Sequence, residues 1–302
     1  MKSSLEHLPE QKQRELTRVV EIIHEEFEDA LKGGEAEFKK RGRIWKIILF
    51  GSYARGTWVE EPHTTKGYRS DYDILIIVNT KKLTDPEYWD ATRSRLMHSG
   101  LKTPVGIIVH SRREVGDRLH LGQPFFSDIR RDGIVLYELD DVPLPQPKPM
   151  SPAEEYQVAR GHFDARYPEA VMMLKTSQWQ KLQPEENSFK SASFSLHQAI
   201  EQAYSTVLLT LTNYSPASHN INFLRALSED RDRRLADAWP RDRQRFIAWF
   251  NLINEAYVKA RYSPHYEISQ EALIWLGERT TELHQLVATI CEEHLASLKS
   301  QL

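Results

Sequence analysis

The chain has 302 residues, 40% hydrophobic and 27% charged, with a formal charge of -3 and one cysteine, Cys291. That composition excludes a disordered chain and has room for two ordinary domains, while the balanced charge excludes a global pull toward nucleic acid or an anionic membrane, so any anion site must be local. The single cysteine excludes an intramolecular disulfide and a CxxC zinc cluster; without a signal-peptide core in MKSSLEHLPEQKQREL or any run of ~18 apolar residues, a cytoplasmic protein with no membrane attachment is expected.

Over residues 8 to 41, Leu16, Val19, Ile22, Ile23, Phe27 and Leu31 recur at helical spacing among charges, which predicts an amphipathic helix. The period then changes. Ile44 with Ile47 to Phe50, Ile74 to Val78, Val105 to Val109 and Ile134 to Tyr137 read as short strands, with a helical stretch at Asp85 to Ser99, so this half is mixed α/β with a small sheet. The segment DDVPLPQPKPMSP, with five prolines, supports neither helix interior nor central strand. The expected division is a first domain over 1–142, a stiff linker over 143–152 and a second domain over 153–302. In the second, Ala153 to Lys181, Ser188 to Thr212, His219 to Ser228, Arg241 to Ala260 and Ser269 to Leu302 carry helix-period apolar positions, predicting an all-α bundle of about five helices.

The chemistry sits in IILFGSYARGTWVEEPHTTKGYRSDYDILIIV, residues 47 to 78. After the first strand, Gly51 allows close backbone approach, Ser52 adds a hydroxyl, and the N–H groups of the following helix suit phosphate oxygens, with Arg55 near enough in sequence to meet the same charge. Asp71 and Asp73 stand two apart at the start of the second run, so strand geometry turns both carboxylates to one face. Two such carboxylates repel unless a cation lies between them, and Mg²⁺ (or Mn²⁺) is the natural choice. Taken singly, a Gly-Ser also fits an ordinary turn and a DYD a solvated strand end.

Strand, Gly-Ser, helix and Asp-x-Asp on a second strand, in that order over about 40–140, resemble the nucleotidyltransferase fold of the DNA polymerase β superfamily, particularly its minimal and aminoglycoside nucleotidyltransferases. The resemblance implies that Gly51 and Ser52 contact the phosphates of an NTP substrate and that Asp71 and Asp73 hold Mg²⁺. Two departures stand out. WVEEPHTTKGY lengthens the gap between Ser52 and Asp71, as a lid or acceptor-contacting loop would. KTPVGIIVHSRREV has no acid inside its strand, where this family usually carries a third, which leaves His110, or Glu114 beyond the apolar run, for the general base; an ordinary strand-end histidine is the competing reading of His110.

In the second half, His197, Glu201 and Tyr204 lie at i, i+4 and i+7, the pattern of a solvated helix face. HQAIEQAY, SHNINFLRAL and ARYSPHY, in that order over about 153–298, resemble the HEPN domain, a helical bundle often encoded with or fused to minimal nucleotidyltransferases. Some HEPN proteins are metal-independent ribonucleases with an Arg and a His separated by four to six residues. Here Arg261 and His265 are separated by three residues including Pro264, so the pair reads as a helix end that either receives a phosphate or nucleobase or serves structure alone. The arginines of SEDRDRRLADAWPRDRQRF interleave with Asp230, Asp232, Asp237 and Asp242 and read as ion pairs, and Trp179, Trp239, Trp249 and Trp275 read as packing residues.

Together these readings imply transfer of a nucleoside monophosphate from an NTP to a hydroxyl of a small molecule, a protein or an RNA, with the helical domain binding nucleotide or acceptor, pairing two copies as a homodimer, or serving as the modified polypeptide. A nucleotide-binding regulator without turnover and a HEPN ribonuclease are the alternatives.

Overall fold

The computed structural model describes residues 1–60, 69–185 and 187–302. Contacts divide the chain into two compact units, one formed by Met1–Glu60 with Arg69–Pro149 and the other containing Met150–Leu302.

The first unit opens with α1 (Glu10–Leu31), whose buried face includes Leu16, Val19, Ile22, Ile23 and Phe27. The helix stops at Leu31 rather than reaching 41, because Lys32 is extended and Gly33 takes φ 73°; a short α2 (Glu37–Lys40) follows. β1 (Ile44–Phe50) runs into α3 (Gly51–Arg55), and β2 (Tyr72–Val78) comes next, every residue of both strands being buried. α4 (Asp90–His98) leads to β3 (Val105–Ser111). Apolar spacing over 112–132 does not announce a helix, yet α5 (Arg112–His120) and α6 (Pro124–Asp132) lie there before β4 (Ile134–Glu138). Local chemistry starts both: Ser111 and Glu114 form a capping box for α5, and Pro124 occupies the first turn of α6.

The sheet order is β3-β2-β1-β4, with β2 and β3 parallel and the other pairs antiparallel. Side-chain alternation gives β2 two different faces. Tyr72, Ile74, Ile76 and Val78 join the core that holds the buried face of α1. Asp73, Leu75 and Ile77 share the opposite face with their register partners Phe50 and Ile48, and there Phe50 meets Phe125 of α6 edge-on at 5.5 Å. On the outer side of β4, Lys2 adds one parallel bridge, its N–H donating to Gly133 O at 3.0 Å and its carbonyl accepting from Val135 N–H at 2.9 Å.

The second unit is helical: α7 (Pro152–Gln180), α8 (Ser188–Thr212), α9 (Ile221–Arg231), a 3₁₀ turn (Arg233–Ala238), α10 (Gln244–Tyr262) and α11 (Gln270–Lys299). α8 packs against α7, α9, α10 and α11, and so is buried nearly all round. That corrects the reading of His197, Glu201 and Tyr204 as a solvated face, since His197 and Tyr204 are fully buried and Glu201 is 8% exposed. Trp239 packs as expected, donating its Nε1–H to Tyr204 Oη at 2.8 Å, whereas Trp179 is exposed. Among the interleaved charges, Arg234 pairs with Asp232 at 2.7 Å and with Glu293 at 2.6 Å. Among the described residues no helix is long and apolar enough to cross a membrane.

Candidate active site

The Gly-Ser turn and the aspartates meet at one end of the sheet. Antiparallel pairing sets Phe50, the last residue of β1, opposite Asp73, so Gly51 and Ser52 begin where the aspartates stand. Ser52 and Asp73 are both buried, and Asp71, one step before β2, is half-buried. Gly51 has φ 73°, a conformation that side chains disfavour. A Cβ on Gly51 would also run into Asp73 Oδ2 and lie 3.2 Å from its Cγ. Glycine is therefore needed twice over, for the turn and for the seat of the carboxylate.

Whether these residues suit a divalent cation can be asked of the donor set. Asp71 and Asp73, two apart at the start of β2, offer hard oxygens, and the missing Cβ of Gly51 makes room for Asp73 Oδ2 itself. Among the described residues, no group of three His, Cys, Asp or Glu gathers into a cage. Two carboxylates completed by substrate phosphates are the mode in which Mg²⁺ is commonly held, so the donors fit that ion.

His110 is not brought to this edge. In the parallel register Asp73 pairs with Gly106, whereas His110 pairs with Ile77, four residues on and roughly 13 Å along the strand. His110 instead packs edge-on against Phe126 at 5.4 Å, with Glu114 Oε2 at 3.6 Å. Burial, with the charge of Arg118, pushes its pKa down to about 4, despite the opposing effect of Glu114. Glu114 is itself occupied as a cap, its Oε2 accepting from Ser111 N–H and Oγ–H, both at 3.0 Å. The residue beside Asp73 on β3 is thus a glycine. Arg55 stands close enough to Asp132 for its charge to help lower that carboxyl's pKa, behind the hydrogen bond from Arg131. Of the long segment before the aspartates, Val59 and Ser70 pair through Ser70 N–H to Val59 O at 2.9 Å, and Val59 N–H donates to Ser70 Oγ at 3.0 Å; residues 61–68 lie outside the described residues.

Comparison with known proteins agrees with this geometry. Residues 31–93, which contain Gly51, Ser52, Asp71 and Asp73, match the family described as nucleotidyltransferase domain. A Methanocaldococcus jannaschii protein named "Putative protein adenylyltransferase MJ0604" is 55% identical over 113 residues, which are 37% of this chain and 92% of that relative. The chain belongs to the nucleotidyltransferase family. Residues 180–290 match the HEPN domain, so the nucleotidyltransferase domain is followed by a HEPN domain. A nucleotidyltransferase takes an NTP and an acceptor, and His110 lies outside the matched nucleotidyltransferase segment.

In the HEPN region Arg261 and His265 are not joined by any hydrogen bond, ion pair or ring contact among the described residues. Arg261, at the end of α10, turns back along its own helix: its Nε–H donates to Tyr257 O at 2.7 Å, and its guanidinium covers the Tyr257 ring at 4.3 Å and Phe194 at 4.8 Å. His265 lies beyond the helix end, exposed, with its N–H on Ser263 Oγ at 3.3 Å. What the fold gathers instead is Glu201, His197 and His219. His219 Nδ1 lies 3.0 Å from Glu201 Oε2 while its ring stacks on Tyr257 at 3.6 Å, and His197 Nε2 donates to His219 O at 3.0 Å. Burial first, opposed by that hydrogen bond, pushes the pKa of His197 down to about 4. His219 was hidden from sequence reasoning because its partner is eighteen residues away; only Asn220, the side-chain cap of α9, marks the turn that returns it to α8.

Proposed function

We propose that this nucleotidyltransferase moves AMP from ATP to a hydroxyl on a protein, with Mg²⁺ or Mn²⁺ held by Asp71, Asp73 and the substrate phosphates. The observation that carries the reading is the seat of the Asp73 carboxylate against Gly51, at the strand end where Ser52 begins α3. The choice of AMP and of a protein acceptor rests on the name of the relative. Gly51 and Ser52 orient the phosphates, Arg55 adds positive charge beside them, and the buried Asp73 keeps a fixed position while half-buried Asp71 faces the substrate side. When bound, the metal ion neutralises the pyrophosphate leaving group and assists the attacking oxygen.

With Gly106 at the register beside Asp73 and His110 far along the strand, the acceptor's proton goes to water or to the acceptor's own surroundings. Phosphoryl-type transfer tolerates this, because positioning and charge stabilisation supply most of its acceleration. A second reading, nucleotide binding without turnover, is favoured by that same glycine. The HEPN domain would bind the acceptor or pair two copies of the chain.

The test is label transfer from α-labelled ATP with Mg²⁺ to the chain itself, to cell-extract proteins, to an aminoglycoside panel and to total RNA. Label on protein that vanishes in the Asp71→Asn, Asp73→Asn double variant supports the proposal. Equal labelling by that variant sinks it, and ATP binding without label supports the second reading.

A further inference from the structure

On the side of β2 that faces away from the aspartates lies a buried polar network that the transfer reading does not use. Tyr72, between Asp71 and Asp73 in sequence, points inward by strand alternation and is fully buried. Its hydroxyl donates to Glu15 Oε2 at 3.1 Å, and Thr103 Oγ1–H donates to the same oxygen at 3.1 Å. Lys12 Nζ donates to Thr103 Oγ1 at 2.7 Å and forms an ion pair with Glu60. Tyr53, the residue after Ser52, donates its hydroxyl to Glu60 Oε1 at 3.2 Å. Tyr72 N–H donates to Pro104 O at 2.8 Å, next to Thr103, which closes the ring.

Each segment that bears a candidate residue therefore has a neighbour tied to this network. Tyr53 follows Ser52, Tyr72 separates the two aspartates, and Thr103 precedes β3, whose Gly106 pairs with Asp73. Lys12, 8% exposed, joins Glu60 directly and reaches Glu15 through Thr103. Without it Thr103 Oγ1 and Glu60, whose side chain is 46% exposed, lose a shared donor, and the buried Glu15, 8% exposed, keeps its charge in a poorly solvated space.

We infer that Lys12 is a positioning residue of the nucleotidyl-transfer site: by clamping Glu60 and Thr103 it fixes the start of β2 and hence the placement of Asp71 and Asp73. The inference rests on the proposed transfer reaction and on the metal-binding role of the aspartates. Its effect on rate follows from geometry, since a displacement of about 1 Å at a reacting centre costs on the order of a hundredfold.

The experiment compares Lys12→Met, which removes the charge at similar length, and Tyr72→Phe, which removes one hydroxyl and keeps the ring, with Ile23→Val, a core change elsewhere on α1. Three quantities are read: the thermal midpoint, kcat and KM for ATP, and Mn²⁺ affinity in the presence of ATP by electron paramagnetic resonance. Expected is a fall in kcat of about 10- to 100-fold for Lys12→Met, a smaller fall for Tyr72→Phe, and weakened Mn²⁺ binding in both, while Ile23→Val lowers only the midpoint. The inference is overturned if the network variants keep wild-type kcat and Mn²⁺ affinity, or lose them only as far as Ile23→Val does for an equal midpoint drop. Should Lys12→Met fail to fold, Tyr72→Phe decides alone. If the wild type transfers nothing, the transfer reading fails by itself, and Mn²⁺ affinity still decides the role of Lys12.

Discussion

Replacing Gly51 with alanine tests the site at its tightest point. Two costs are expected. The residue keeps φ 73°, which costs a non-glycine roughly 1–2 kcal/mol. The new Cβ also overlaps the carboxylate of Asp73, a buried side chain on a central strand, and such overpacking costs about 1–3 kcal/mol. The sum, about 2–5 kcal/mol, lowers the melting temperature of the nucleotidyltransferase unit by roughly 5–15 °C. A double-mutant cycle separates the two costs. In an Asp73→Ala background the overlap is gone and only the backbone cost remains, so Gly51→Ala is expected to cost about 1–2 kcal/mol there, with a coupling energy of about 1–3 kcal/mol. Thermal unfolding by calorimetry measures all four proteins, and label transfer from ATP is expected to vanish in each variant. If Gly51→Ala has the same cost in both backgrounds, the contact with Asp73 contributes nothing to stability. Undiminished transfer by Gly51→Ala would refute the argument that the carboxylate must sit there.

A carboxylate placed by Gly106→Asp beside Asp73 in the register is expected to tighten Mn²⁺ binding several-fold, measurable by calorimetry, because a third hard oxygen donor joins the pair. His110→Gln is expected to leave the pH profile of transfer unchanged between pH 6 and 9, since the histidine lies far from the aspartates. Its folded pKa, about 4, lies below the unfolded value near 6.5, so the stability it contributes is fully present above pH 6.5 and is lost as pH falls toward 4. That loss is at most about 3 kcal/mol and is expected to be absent from His110→Gln in denaturant unfolding measured across this range. In the HEPN region Arg225→Ala leaves Glu229, 2% exposed and paired to Arg225 at 2.5 Å, without its cation and should cost about 3–5 kcal/mol in thermal unfolding.

Much of the fold was legible because the period of burial changes along the chain. Leu16 to Phe27 repeat at helical spacing, while β1 and β2 carry the unbroken apolar runs Ile47 to Phe50 and Ile74 to Val78, as strands covered on both faces do. The order of Gly51, Ser52, Asp71 and Asp73 along the chain was readable, and the antiparallel pairing of β1 with β2 then sets Phe50, just before Gly51, opposite Asp73. Register was not readable. Nothing in VGIIVHS says whether Gly106 or His110 stands beside Asp73, because a parallel strand can slide along its neighbour until the connecting helix fixes it. α5 and α6 were hidden because a capping box and a first-turn proline, rather than a long apolar stripe, start them. The buried face of α8 misled for a different reason: His197 and Glu201 look solvated by type, and their contacts with His219 and Gln198 make burial tolerable.

The bridge from Lys2 to β4 has a practical consequence for handling the protein. β4 is an edge strand, and such edges are where chains add to one another. Lys2 plugs only the stretch from Gly133 to Val135. Trimming the first three residues would open that stretch to a neighbouring chain, and a purification tag ahead of Met1 would hang from the plug itself. Leu302, 65% exposed past the end of α11, is the safer place for a tag.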